Sequence, residues 1–211
     1  MPTSQEILQE LTAIANENLW LAIAWHIAIV AGLVPIVLGW RPHRLLALVA
    51  LILPLASVST LAWVYGNPFN GIAFSVLGGL LLAVGLWLPP AKVSSGPIWT
   101  QLMGAILLAF GWGYPHFLSG HASIEYLYAA PTGLVPCPTL SLVIGLALLA
   151  NGFGSRVWSL TLAAVGLFYG AFGALRLGVT MDWVLLLGAA ALLVNAVTST
   201  APIRHWTVKL V

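Results

Sequence analysis

Apolar stretches of about 20 residues follow one another along this chain almost without interruption, and that pattern leaves few folds open to it. Seven such stretches run over 19–40, 45–65, 71–88, 98–117, 134–153, 157–175 and 181–199. Each is long enough to cross the roughly 30 Å hydrocarbon core of a bilayer as a helix, whose backbone groups are satisfied internally. With 61% hydrophobic and only 6% charged residues in 211, a water-soluble surface cannot be assembled. The intervening segments are short or rich in turn formers, as in Arg41-Pro42-His43-Arg44 and Gly66-Asn67-Pro68-Phe69-Asn70, and none holds a soluble domain. The expected fold is an all-α integral membrane protein. A single bundle of seven transmembrane helices occupies 19–199, with a short helix over 1–18 before it and a tail over 200–211 after it.

Charge orients that bundle. Alternating the spans gathers Arg41, Arg44, Lys92, Arg156, Arg204 and Lys209 on one face and leaves only Arg176 on the other. Retention of Lys and Arg in the cytoplasm makes the first face cytoplasmic, so the N-terminus is outside and the C-terminus inside. Glu6, Glu10, Glu17, Glu125 and Asp182 all fall outside. Fusing the last two stretches across Leu177-Gly178-Val179 would instead give six helices and place the C-terminal basic residues outside. Trp20, Trp40, Trp63, Trp87, Trp99, Trp158 and Trp183 stand near span ends, where an aromatic belt anchors to the membrane surface. Gly166-x-x-x-Gly170 permits close helix approach.

Residues 1–18 carry neither a basic n-region nor a small-residue cleavage site and do not read as a cleavable signal. Thr3-Ser4-Gln5-Glu6 has capping-box spacing, and Ile7, Leu8, Leu11, Ile14 and Ala15 recur at helical period. The segment is expected to lie as an amphipathic helix at the membrane surface, as an anchor rather than as a lid over an outer vestibule.

Leu134-Val135-Pro136-Cys137-Pro138-Thr139 breaks the apolar pattern. Each proline pushes the residue before it toward extended geometry and is itself well placed in the first turn of a helix. The fifth helix is therefore expected to begin at Pro138 with Cys137 as its cap, after several residues of extended backbone. Such backbone is tolerated at membrane depth only around a cavity or inside protein. Tyr114, Thr139, Arg176 and Asp182 belong to the same outer half, and His26 lies inside the first span. Together with Pro136, Cys137 and Pro138 they form the candidate ligand-binding set, within which Arg176 and Asp182 are expected to pair. His116, His121, Glu125 and Cys137 are competent ligands for a zinc or copper ion, although His-x4-His-x3-Glu matches no established metal spacing.

Other chemistries are excluded by what is missing. One cysteine forms no intramolecular disulfide, which disfavours a dithiol oxidoreductase, and no lysine in the last span is available for a retinal Schiff base. No phosphate loop, His-Glu-x-x-His helix or nucleophile elbow occurs.

The segment from Tyr114-Pro115 to Thr139, with Ser119-Gly120-His121, Ala130-Pro131-Thr132-Gly133 and Pro136-Cys137-Pro138-Thr139, resembles a bacterial family of small multi-spanning membrane proteins known only as a domain of unknown function. The resemblance continues into the last span and implies the same fold, but no activity or cofactor. The expected role is binding or transport of a small solute or metal ion, in a bacterial cytoplasmic membrane, through an outward-facing pocket at the broken start of the fifth helix. The alternatives are an accessory subunit docking on another membrane protein or a second copy, and a haem- or quinone-linked redox protein. Nothing points to nucleic acid.

Overall fold

The computed structural model describes residues 3–120 and 122–198, and no strand occurs among them. A polar first helix α1 (Ser4–Glu17) precedes α2 (Leu19–Val37), α3 (Arg44–Val64), α4 (Pro68–Trp87), α5 (Ile98–Trp112), a one-turn α6 (Tyr126–Ala129), α7 (Pro136–Leu149), α8 (Arg156–Ala171) and α9 (Trp183–Thr198). Five of these elements are long and apolar enough to cross a membrane: α2, α3, α4, α8 with the π-helical turn Phe172–Arg176 that extends it, and α9 with the turn before it.

The apolar helices α5 and α7 are shorter, at 15 and 14 residues. At about 1.5 Å per residue they reach roughly 22 and 21 Å, less than the hydrocarbon thickness. Apolar composition carried the expected spans to 117 and back to 134. The helix breaks that hydropathy cannot see, Gly113-Tyr114-Pro115 and the turn before Pro136, cut them down. The fused alternative for the last two stretches does not form: Gly178 has φ +74°, and α8 and α9 pack as an antiparallel pair.

α7 is the centre of the bundle. It packs against α5, α9, α8 and α3, and twelve of its fourteen residues are buried, all but Leu146 and Leu149. In hydrocarbon no hydrophobic force separates helix from lipid, so association rests on close packing and interhelical hydrogen bonds. The α5–α7 contact uses backbone. A Cβ on Gly111 would stand 2.7 Å from both the Leu142 nitrogen and the Pro138 carbonyl oxygen, and one on Gly145 would stand 2.8 Å from the Gly104 carbonyl oxygen. Gly170 of α8 meets the Leu186 backbone of α9 in the same way, and Gly166 one turn earlier makes room for the side chains of Ile144 of α7 and Ala189 of α9, the close approach their spacing implies. Polar ties add to these contacts: Tyr169 donates to Asn70 at 2.8 Å between α8 and α4, and Ser59 donates to the Gly71 carbonyl at 2.7 Å between α3 and α4.

The loops divide between two ends. At the basic end Arg44 N donates to Ala91 O at 2.8 Å, Val93 N to Pro42 O at 3.2 Å and Gly96 N to Leu149 O at 3.1 Å. Arg41, Arg44, Lys92 and Arg156 thus share one end, while Arg204 and Lys209 lie outside the described residues. The acidic end is roofed by α1. Its capping box is present, with Thr3 N donating to Glu6 at 2.6 Å and Glu6 N to the Thr3 hydroxyl at 3.2 Å.

The apolar stripe of α1 lies on protein. Leu11, Ile14 and Ala15 are buried, and its polar side chains bond to three loops. Asn67 donates to Glu10 at 3.2 Å, Tyr65 to Glu17 at 2.8 Å, Asn16 to the Phe117 carbonyl at 2.8 Å and Arg176 to the Ser4 hydroxyl at 3.0 Å. Among the span-end tryptophans, Trp158 is the exception. It is fully buried, its ring edge-to-face with Phe153 at 5.0 Å, whereas Trp20, Trp40, Trp63, Trp87, Trp99 and Trp183 are exposed.

Two predictions follow from this packing. Gly111→Ala has no side chain to displace, only backbone, so it should cost about 1–3 kcal/mol and lower the Tm in detergent. Gly79→Ala, where an added Cβ meets nothing within 4 Å, should leave the Tm unchanged or raise it.

The second concerns α1. Desolvation raises the Glu10 pKa, partly offset by the Asn67 hydrogen bond, so the docked helix favours the protonated acid. That contribution is complete below the ordinary carboxylate pKa and is lost as pH rises through the raised one. Glu6 has the opposite sign, because its capping bonds lower its pKa, and its contribution is lost only at more acid pH. Amide exchange across α1, corrected for intrinsic rate, should slow as pH falls from neutrality toward the carboxylate range. In Glu10→Gln it should be slow throughout.

Candidate functional site

α7 begins two residues earlier than its sequence suggests. Val135 is the extended cap, with φ −123° and ψ 158°, and Pro136 is the first helical residue. Both prolines therefore fall within the first turn, where a missing N–H removes no intrahelical bond. Cys137 is helical rather than a cap. Before Val135 the backbone is turned rather than extended: Thr132 N donates to Ala130 O at 2.7 Å, and Leu134 N and Val135 N to Pro131 O at 3.1 and 3.2 Å. Thr139 closes the turn by donating to the Val135 carbonyl at 2.7 Å and accepting from Gly133 N at 2.8 Å. The Thr132 hydroxyl donates to the Gly111 carbonyl and ties the turn to α5.

Three of the candidate residues meet here. Tyr114 donates its phenolic hydrogen to Asp182 Oδ1 at 2.7 Å, and the Cys137 thiol lies beside the same carboxylate. All three are buried, Asp182 at 1% exposure. Room for the carboxylate comes from Gly173 in the π-helical turn, where any Cβ would overlap Asp182 Oδ2. Arg176 does not join them. Its side chain turns outward to Ser4 while Asp182 points into the bundle, so the expected pairing is replaced by two separate contacts. The cluster is closed and made of hydrogen bonds.

His26 is a tie between helices. Its Nδ1 lies 2.9 Å from Ala22 O in its own helix and its Nε2 lies 2.9 Å from Trp112 O at the end of α5, with the imidazole edge-to-face on Trp112 at 4.5 Å. The metal donors do not assemble. Among the described residues no group of three or more His, Cys, Asp or Glu could hold an ion, and His121 lies outside them. Cys137 faces Asp182, and His116 packs edge-to-face on Phe117 at 4.4 Å. Among the described residues, His116 and Cys137 are not gathered with a third donor as the zinc or copper reading expects.

A cavity of about 620 Å³ lies instead toward the basic end, between α2 and the rest of the bundle. α2 is held at its acidic end, where Ala22 and His26 are buried and Trp25 donates to Ser57 at 3.1 Å. Beyond Trp25 none of its residues is buried but His26, and a wedge opens against α3 and α7. Leu146 and Leu149, the two unburied residues of α7, both face this space. Its floor includes Phe153, held with φ +56° between Gly152 and Gly154, which also have positive φ. A bulky residue in that conformation is strained, and the glycines and Asn151 around it are what allow the turn. Apart from the Trp25 and Trp40 indoles, polar side chains occur in the wall only at the basic end: Arg41, Ser94, Ser95 and Gln101.

The sequence reading missed this cavity, and its one legible sign was Asn151-Gly152-Phe153-Gly154, a run of turn formers that aims an aromatic ring inward. No protein-family model matches the chain, and no curated protein or solved structure matches it significantly.

The closed cluster generates a coupling prediction. Tyr114→Phe leaves a buried carboxylate oxygen without its donor and should cost about 1–3 kcal/mol. Asp182→Asn keeps an acceptor and should cost less. Because the two groups share one bond, the double variant should depart from additivity by roughly 0.5–3 kcal/mol in unfolding titrations in mixed micelles. Strict additivity would mean the bond contributes nothing.

Proposed function

We propose that the chain is a seven-span protein of a bacterial cytoplasmic membrane, N-terminus outside, which holds an apolar molecule drawn from the bilayer in the wedge beneath α2. The observation that carries this reading is the exposure of α7. A helix buried along its whole length opens at two leucines only, and both face the cavity. The size falls within the roughly 300–1,000 Å³ of small-molecule sites, and the wall is apolar with a few polar groups at one end, as such sites are. The solute pocket expected at the start of the fifth apolar stretch is thereby moved to the opposite end of the same helix. The orientation rests on the gathering of Arg41, Arg44, Lys92 and Arg156 at one end, opposite Glu6, Glu10 and Glu17. α5 and α7 cross with their short length completed by the packed segment between them, which is tolerated at depth because protein surrounds it.

A photoactivatable diazirine fatty acid in membranes tests the site. Cross-links should map to α2, α3 and Leu146 or Leu149, with those on α7 lost in Ala50→Phe. Labelling confined to the outer surface of the bundle would remove the proposal. Topology is read with a membrane-impermeant maleimide on spheroplasts in a Cys137→Ser background. Ser123→Cys should label from outside and Lys92→Cys only after the inner face is opened, and the reverse pattern would invert the orientation. Buried Cys137 itself should react only after denaturation.

A further inference from the structure

Resting on that reading, we infer that the occupant of the α2 cavity is a long-chain amphiphile with an anionic phosphate headgroup, its head at Arg41 and its chain along α2. The chain alone cannot select a ligand, since it leaves one hydrocarbon for another and gains no hydrophobic free energy over bulk lipid. Discrimination must come from the polar end, and the wall is polar at one end only.

There Arg41 lines the mouth and forms no hydrogen bond or ion pair with any described residue, whereas Arg44 beside it donates to the Pro89 carbonyl at 3.1 Å. A planar guanidinium with free donors matches a phosphate in bidentate fashion better than any neutral headgroup. Ser94 and Ser95 add hydroxyls, and Gln101, anchored by donating one amide hydrogen to Gly96 O at 2.7 Å, keeps its second N–H for a phosphate oxygen.

The dimensions fit a chain. From Ile36 near the mouth to Trp25 at the far end the wall follows α2 through a rise of eleven residues, about 16 Å at 1.5 Å per residue. Half of a roughly 30 Å hydrocarbon core is about 15 Å, so a chain lying along α2 reaches the midplane. No acidic side chain lines the wall to oppose the headgroup.

The test uses the full chain in nanodiscs holding equal phosphatidylglycerol and phosphatidylcholine of matched acyl chains, released into native mass spectrometry. Wild type should retain one phospholipid, with phosphatidylglycerol enriched about fivefold, the effect of one basic residue near a membrane surface. Arg41→Gln should keep the bound lipid and lose the enrichment, while Arg156→Gln, at the same end but outside the cavity wall, should keep both. Gly32→Leu, whose added side chain enters open space, should abolish retention of either lipid, and Ala50→Phe provides a second filling variant.

Retention without headgroup preference that filling removes would overturn the anionic assignment and leave the apolar site standing. Retention that neither filling variant alters would overturn both. A dimer that Gly32→Leu dissociates, with no lipid lost, would assign the wedge to a second copy and overturn the inference.

Discussion

Everything else in the bundle is arranged around the backbone contact between α5 and α7. Gly104, Gly111 and Gly145 let the two helices approach until main-chain atoms touch, and dispersion at that distance holds this pair together where solvent and side chain are equally apolar. Once α7 is fixed against α5, its remaining faces are met by α9, α8 and α3, and α3 and α8 bring α4 with them. α2 is the helix this scheme leaves out. It has no close-packed seam with the bundle and is attached through side-chain hydrogen bonds at its acidic end.

The two ends of α7 consequently meet opposite conditions. At its start the turn from Pro131, the Thr139 bonds and the Tyr114–Asp182 pair satisfy the polar groups inside protein. A carboxylate at 1% exposure is tolerable there because its partners are fixed, and low local dielectric strengthens each of those bonds. α1 closes the same end from above by bonding to three separate loops. Its docking and the burial of Asp182 are two consequences of one sealed end. At the finish of α7 the chain turns through Asn151–Gly154, and Leu146 and Leu149 are left partly exposed toward the cavity beneath α2.

The helices could be read in the sequence because each one's apolar run is local, and the capping box of α1 because its two partners are three residues apart. Gly166 and Gly170 were legible for the same reason. What failed was anything decided by partners distant in the chain. Asp182 and Arg176 are close in sequence and apart in space, because the turn at Gly178 sends one inward and the other to Ser4 across the acidic end. The acidic face of α1 suggested a helix that anionic headgroups would not attract. Its actual partners, Tyr65, Asn67 and Phe117, are about 50 or 100 positions away. Pro136-Cys137-Pro138 was read as a broken helix because each proline was weighed against its neighbour and not against the first-turn positions that need no N–H.

The cavity was illegible for a deeper reason. A close contact between helices leaves small residues at a fixed spacing, but an absent contact leaves no spacing, and the apolar run of α2 would look the same whether protein or lipid covered it. What separates the two cases is the distribution of buried positions: only Ala22 and His26 are buried in α2, both near its acidic end, against eight in α3. α2 is thus buried against the bundle at its acidic end, while along the rest of its length it stands off from α3 and α7, and the cavity is the space left between them.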